Sequence, residues 1–433
     1  MTALTRPGTG TVAGGSGGAP TGIQPSAQTP PPAPAQATPT PRRGTPRSVR
    51  RLRRLQVMAV ALVVAFGALV VAGLAVQSSA AGHASASLAQ YNRLTEARVQ
   101  ALQVQQAANT WALTPTAAVR AEVTSNLTTL ATSLADASAV SEDRDTMAPL
   151  TAALVNYSMT LQDALNAKGT DSAALLAKAD TALSADLLKP LGEAAAAAGD
   201  RVSSDLTANW LYWVIGGFVL AGGGLIAVQV ALARASHRYL NPGVALGLVA
   251  ALASVTVLAV TAGSATTAAT SFSSTTRAEL DAAATARTQL NQARADELLM
   301  IALQGGGASY RTRWNDAYSE ARKAVQTIST RAKALSELTA YAEAHGEVVE
   351  AADHADWAGA RSLLLGDGAA ATAFDEAASS LAALASDAGE PAAESVGSVG
   401  EGVVVAIAGV VLLTLAGAAL AVWGVARRIE EYR

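Results

Sequence analysis

Residues 56–82 read QVMAVALVVAFGALVVAGLAVQSSAAG, with no charged side chain from Gln56 to Gly82. A run of more than 20 mostly apolar residues can cross a bilayer as a helix. The lone His83 follows it, and three further uncharged stretches start at Leu206, Tyr239 and Gly402. Four spans therefore divide the chain. The expected order is a tail over 1–55, a span over 56–77, an outer segment over 78–209 and a span over 210–233. A turn over 234–242, a span over 243–264, a second outer segment over 265–401, a span over 402–424 and a tail over 425–433 complete it.

Composition agrees with this partition. Of 433 residues, 50% are hydrophobic and only 15% charged, too apolar for an ordinary soluble chain. There is no cysteine, which excludes disulfides, thiolate metal sites and cysteine nucleophiles. The first apolar run sits behind a long polar leader and is too long for a cleaved h-region, so it reads as a signal anchor.

Lys and Arg set the expected orientation. Residues 1–55 carry eight arginines, six of them between Arg43 and Arg54, and no acid. The turn between spans two and three holds Arg234, His237 and Arg238, and Arg427 and Arg428 follow the last span. All three places lie on one side of a four-span chain, and the positive-inside rule makes that side cytoplasmic, termini included. The outer segments are acidic: 8 basic against 13 acidic residues over 78–209, and 10 against 19 over 268–401. Arg42–Arg54 sits where anionic lipid would meet it, so lipid rather than nucleic acid is the expected partner.

Residues 1–50, with Thr29-Pro30-Pro31-Pro32, lack the apolar residues for a core and read as disordered. Thr45 and Ser48, flanked by arginines, are candidate phosphorylation sites that would loosen lipid contact.

Each outer segment reads as a four-helix bundle. In the first, one helix continues span one through Leu88, Leu94 and Leu102 and stops near Thr114-Pro115. The second carries Val119, Val123, Leu127, Leu130 and Leu134. The third carries Leu150, Leu154, Tyr157, Leu161 and Leu165 and ends at Lys168-Gly169, and a fourth starts near Asp171. Alternating spacings of three and four put one apolar stripe on each helix. The second segment repeats the plan, with stops at Gly305-Gly306-Gly307 and Gly366-Asp367-Gly368 and a short piece from Trp357 to Leu365. Gly389-Glu390-Pro391 is expected to bend or interrupt its last helix. Ala97-Arg98-x-Gln100 matches Ala286-Arg287-x-Gln289 at an offset of 189, so the layout reads as a duplication. The fold class is an all-α membrane protein with four transmembrane helices and two extracytoplasmic four-helix bundles.

No catalytic signature stands out: no Walker loop, no HExxH, no serine elbow. The chain is not expected to be an enzyme or to hold a cofactor or metal. His345 and His354 are nine apart and out of phase for joint ligation. Glu347, Glu350 and Asp353 read as a solvated face, and the three glycines from Gly305 as a turn rather than an anion nest. Arg98 and Arg287, at equivalent places in the two halves, are candidates to clamp a carboxylate ligand or partner; the alternative is an exposed arginine paired with an acid. Arg234, Arg238, Arg427 and Arg428 are the candidate inner contact residues. Trp210, Tyr212, Trp213 and Trp423 read as interfacial anchors, and Gly243-x-x-x-Gly247 and the Gly216–Gly224 region as close-packing surfaces. The span cores carry no ionisable group, which argues against a channel or proton relay.

A helical bundle flanked by two spans is similar to the sensing half of bacterial chemoreceptors and histidine kinases, here twice over and without a signalling domain. The Arg-rich start, the alanine content, and Asp356-Trp357-Ala358-Gly359-Ala360 with Phe374-Asp375 resemble the actinobacterial four-span GlnX family. That resemblance covers residues 50–430. It implies coupling of an extracytoplasmic amino-acid-binding lipoprotein to a cytoplasmic serine/threonine kinase, protein kinase G. It transfers no binding residue, and a homo-oligomer is compatible with it. A non-signalling envelope scaffold and a permease-like regulator that transmits force to an outer enzyme are the competing readings.

Overall fold

The structure is a computed structural model that describes residues 47–167, 170–206, 210–236 and 242–431. Thr45, the Lys168-Gly169 stop, Arg238 and the rest of the tail before Arg47 lie outside these residues. Among the described residues every regular element is a helix. In the first half these are α1 (Arg47–Leu113), α2 (Ala117–Ser138), α3 (Arg144–Asn166), α4 (Thr170–Ala182), α5 (Lys189–Leu206) and α6 (Trp210–Ser236). In the second they are α7 (Pro242–Ser271), α8 (Arg277–Ala302), α9 (Ala308–Gln326), α10 (Ala332–Asp353), α11 (Trp357–Leu364) and α12 (Ala369–Glu431).

Breaks fall where the chain chemistry demands them. The Thr114-Pro115 pair ends α1 at Leu113, and the Thr116 hydroxyl caps α2 by accepting from the Val119 N–H. Gly305 takes φ +89° between α8 and α9, which makes the glycine run a helix-to-helix turn. Two single turns of π-helix, Leu183–Leu188 and Phe272–Thr276, join α4 to α5 and α7 to α8. The first precedes Pro190, which has no N–H to donate; the wider turn accommodates the ring.

Two sequence expectations are corrected. Residues 47–55 are the first turns of α1 rather than disordered tail. Pro46 precedes the helix, the following Arg/Leu run favours it, and Leu55 is buried against Val425 and Val244. Gly389-Glu390-Pro391 does not interrupt α12, which runs unbroken for 63 residues. Pro391 and Asp387, whose carbonyl loses its partner, both face solvent, so water can satisfy that group while Ala388 and Ala392 stay in the core.

One apolar core runs through both helical segments. It joins Leu94, Leu102, Tyr157 and Leu191 of the first to Leu290, Trp314, Tyr341 and Phe374 of the second. The two sets of helices are thus packed on each other. Their common axis is α1 beside α8, which run parallel: Tyr91 bonds Asp281 at 2.7 Å, the Gln106 amide bonds the Asn291 carbonyl at 2.8 Å, and the Asn109 amide bonds the Ala295 carbonyl at 2.8 Å. Because α8 is enclosed by both segments, residues 293–301 are buried all round rather than along one stripe.

Three helical stretches, Arg53–Leu113, Pro242–Ala302 and Trp357–Arg427, are long and apolar enough to cross a membrane, which makes this a multi-pass membrane protein. The apolar part of α6, Ile215–Ala231, adds Leu225 and Val228 to the same packing. Large apolar side chains such as Val64, Val219, Leu252 and Leu412 face outward there, as a lipid-exposed surface requires. Gly243 lies against Gly424 of α12, where a Cβ would come 2.5 Å from the Gly424 Cα. At this end the Gln56 side chain donates to the Val422 carbonyl at 3.2 Å, so the start of α1 and the end of α12 meet.

Candidate functional site

A cleft of about 730 Å³ opens where α4 and α5 of the first segment meet α8 and α9 of the second, with α1 between them. The π-turn residues Ser184, Ala185 and Leu188 line it, with Arg98, Thr288 and Gln292. Its volume falls in the usual range for small-molecule sites.

Arg98 is the unusual group. It is half-buried, no carboxylate among the described residues lies within ion-pairing distance, and its Nε is buried without a partner among them. Burial pulls the guanidinium below its ordinary value, and the nearby Tyr91 opposes that. Gly192 of α5 makes room for it, since a Cβ there would come 3.3 Å from the Arg98 Cζ. Arg287, its sequence counterpart, has the other fate. It pairs with Glu96 at 3.0 Å and lines a separate cleft of about 670 Å³ with Tyr91 and Glu390. Thus, among the described residues, one of the two arginines is an ordinary ion-pair member and the other a cation without an anion.

A bridge closes one wall of the first cleft. Arg313 donates to Asp180 at 2.5 Å and to Asp296 at 2.8 Å, tying the first segment to the second. Gln292 also donates to Asp296, whose second oxygen has no partner. Burial outweighs the attraction of Arg313, Asp180 adds like charge, and Asp296 is pushed up from 3.8 to about 7. The folded state therefore holds a proton that the unfolded chain has released, and stability falls as pH rises toward 7. Thermal melts of the full-length protein should show Tm declining between about pH 5 and 7. Asp296→Asn should flatten that decline, with Arg313 retaining Asp180; an unchanged slope would contradict the assignment.

Two buried polar networks lie in the core. In α8, Glu297 is fully buried and accepts from Arg294 at 2.8 Å, Tyr341 at 2.9 Å and His345 at 2.7 Å. A carboxylate only accepts, so His345 carries its proton on Nδ1. Trp314 stacks on His345 with centroids 3.5 Å apart and donates to the Tyr341 hydroxyl, while Arg294 also reaches the Leu364 carbonyl at 2.6 Å. In α1 the matching place holds Gln105, buried, bonded by Tyr157 at 2.6 Å and reaching the Leu176 carbonyl at 3.3 Å. Gln105 and Arg294 are 189 residues apart, the offset that also separates Arg98 from Arg287. No family model, curated protein or solved structure matches the chain.

The remaining candidates lie at the far end of the helices. Arg234 is exposed on the last turn of α6, and Arg427 is exposed with its guanidinium 5.7 Å from the Trp423 ring centre. Arg428 is described in its backbone only. Among the acidic residues, Asp353 pairs with Arg311, and the His354 ring bonds the Glu350 carbonyl. The sequence did not single out Glu297, Arg294, Gln105 or the Arg313 bridge, and it weighed His345 only with His354 as a metal pair, not as the partner of Glu297. The 189-residue offset was the available signal for Gln105 and Arg294; the others carried none.

Proposed function

We propose that the protein is a four-span signal relay. It couples an extracytoplasmic solute-binding lipoprotein, sensing amino acids, to a cytoplasmic serine/threonine kinase, as its resemblance to the GlnX family implies. The observation that carries the reading is mechanical continuity. Helices α1 and α12 run without a break from the outer core, through the apolar bundle, to the arginine-rich end. A change of packing in the lobe therefore reaches Arg50–Arg54 and Arg427 through rigid rods rather than through loops.

Parity supports four spans. Two segments that share one core lie on the same side of the membrane, so the number of crossings between them is even; α7 crosses, and α6 supplies the second crossing. The positive-inside rule puts the arginine end in the cytoplasm. The matched Gln105 and Arg294 contacts, on parallel helices, support a duplicated origin for the two halves.

The test is a paired alteration. Deleting 427–433 and recharging the 234–241 turn should leave the protein in the membrane and abolish kinase output in response to external amino acids. Intact output after both changes would contradict the relay.

A further inference from the structure

The cleft between the two segments is polarised. On the first-segment side, Arg98 and the exposed Lys189 carry positive charge, and neither pairs with a carboxylate among the described residues. On the second-segment side, Asp316 and Glu320 stand one turn apart on α9, exposed at the rim, with only Glu320 paired, to Lys323 at 3.5 Å. The other cation of the cleft, Arg313, is already held by Asp180 and Asp296. Between these walls lie the short polar side chains Ser184 and Thr288.

We infer that this cleft binds a small zwitterion of the α-amino-acid class directly, with the ligand carboxylate on Arg98 and its ammonium group toward Asp316 and Glu320. A guanidinium partly removed from water without an anion is costly, and a planar carboxylate satisfies it with two parallel hydrogen bonds. The acidic rim rejects a plain dianion while attracting an ammonium group. The volume of about 730 Å³ admits such a molecule. The site is built from both segments, so an occupant bridges α1 and α5 to α8 and α9. This assignment goes beyond the relay reading and does not rest on it: binding is a property of the isolated chain, whether or not anything is transmitted.

The experiment uses full-length protein in lipid nanodiscs, titrated calorimetrically with each of the standard amino acids, and with succinate and putrescine as probes that carry one sign of charge only. At least one amino acid should bind saturably, and neither single-sign probe should match it. Arg98→Gln should weaken that binding by about 30-fold or more, with an unchanged circular-dichroism spectrum. Asp316→Asn, an exposed change with no ion pair to lose among the described residues, guards against misfolding: it should weaken the amino acid as well. The proposal is overturned if no amino acid binds, if succinate binds as tightly as the best amino acid, or if both variants bind like the parent.

Discussion

Glu297→Ala should destabilise the shared helical lobe by about 3–5 kcal/mol, because it strips the anion from a buried guanidinium. Arg294 is 6% exposed and has Glu297 as its ion-pair partner. Without it, Arg294 keeps the Leu364 carbonyl and the face of the Phe374 ring, 5.3 Å away, neither of which neutralises a charge. Tyr341 and His345 lose their acceptor in the same step. Burial by itself pushes the Glu297 carboxyl up, but the His345 hydrogen bond and the Arg294 charge outweigh it and hold the group below its usual value. Its contribution is present above the ordinary glutamate pKa and lost as pH falls through the lowered one. Urea titration of the full-length protein should therefore show the largest gap between parent and variant at neutral pH, closing in acid. A gap below about 1 kcal/mol at neutral pH would mean that the network contributes little.

Gly243→Leu should cost about 3 kcal/mol, the upper end for an overpacked site, and should loosen the arginine end of the bundle. The added Cβ meets the Gly424 Cα at 2.5 Å and the Gly424 nitrogen at 2.8 Å. These are backbone atoms, so no rotamer change relieves the overlap; α7 and α12 must move apart. The neighbouring cluster of Leu55, Val228, Val244 and Val425 then opens. Gly263→Ala on the same helix is the control, since nothing lies within 4 Å of its Cβ position. Its replacement removes only helix-breaking flexibility and should be neutral or slightly stabilising. Equal loss of thermal stability from both changes would contradict the close crossing.

Helix boundaries were legible in the sequence wherever Pro or Gly acts through the backbone, as at Thr114-Pro115 and Gly305. Pro391 misled because the penalty of a proline depends on whether its freed carbonyl is wet, and burial is not written in local sequence. Apolar spacing assigned a stripe to each helix but could not say what the stripe faces. The sharing of one core by both segments was therefore invisible, although it is what places α8 between them. Arg98 and Arg287 sit in the same local motif and differ only in their tertiary surroundings. One meets Glu96 and the other Gly192. Arg294 and Glu297, three apart on a helix, look like a surface pair until the neighbouring elements enclose them.

The account stands on both outer segments sharing one side of the membrane, opposite the arginine end. The chain has no cysteine, so single introduced thiols report their own location without background. Met159→Cys and Glu347→Cys, at exposed positions of the two segments, should both react with a membrane-impermeant maleimide in intact cells. Arg234→Cys and Arg427→Cys should react only after permeabilisation. Reaction of Met159→Cys but not Glu347→Cys in intact cells would put the segments on opposite sides and contradict both the shared core and the relay built on it.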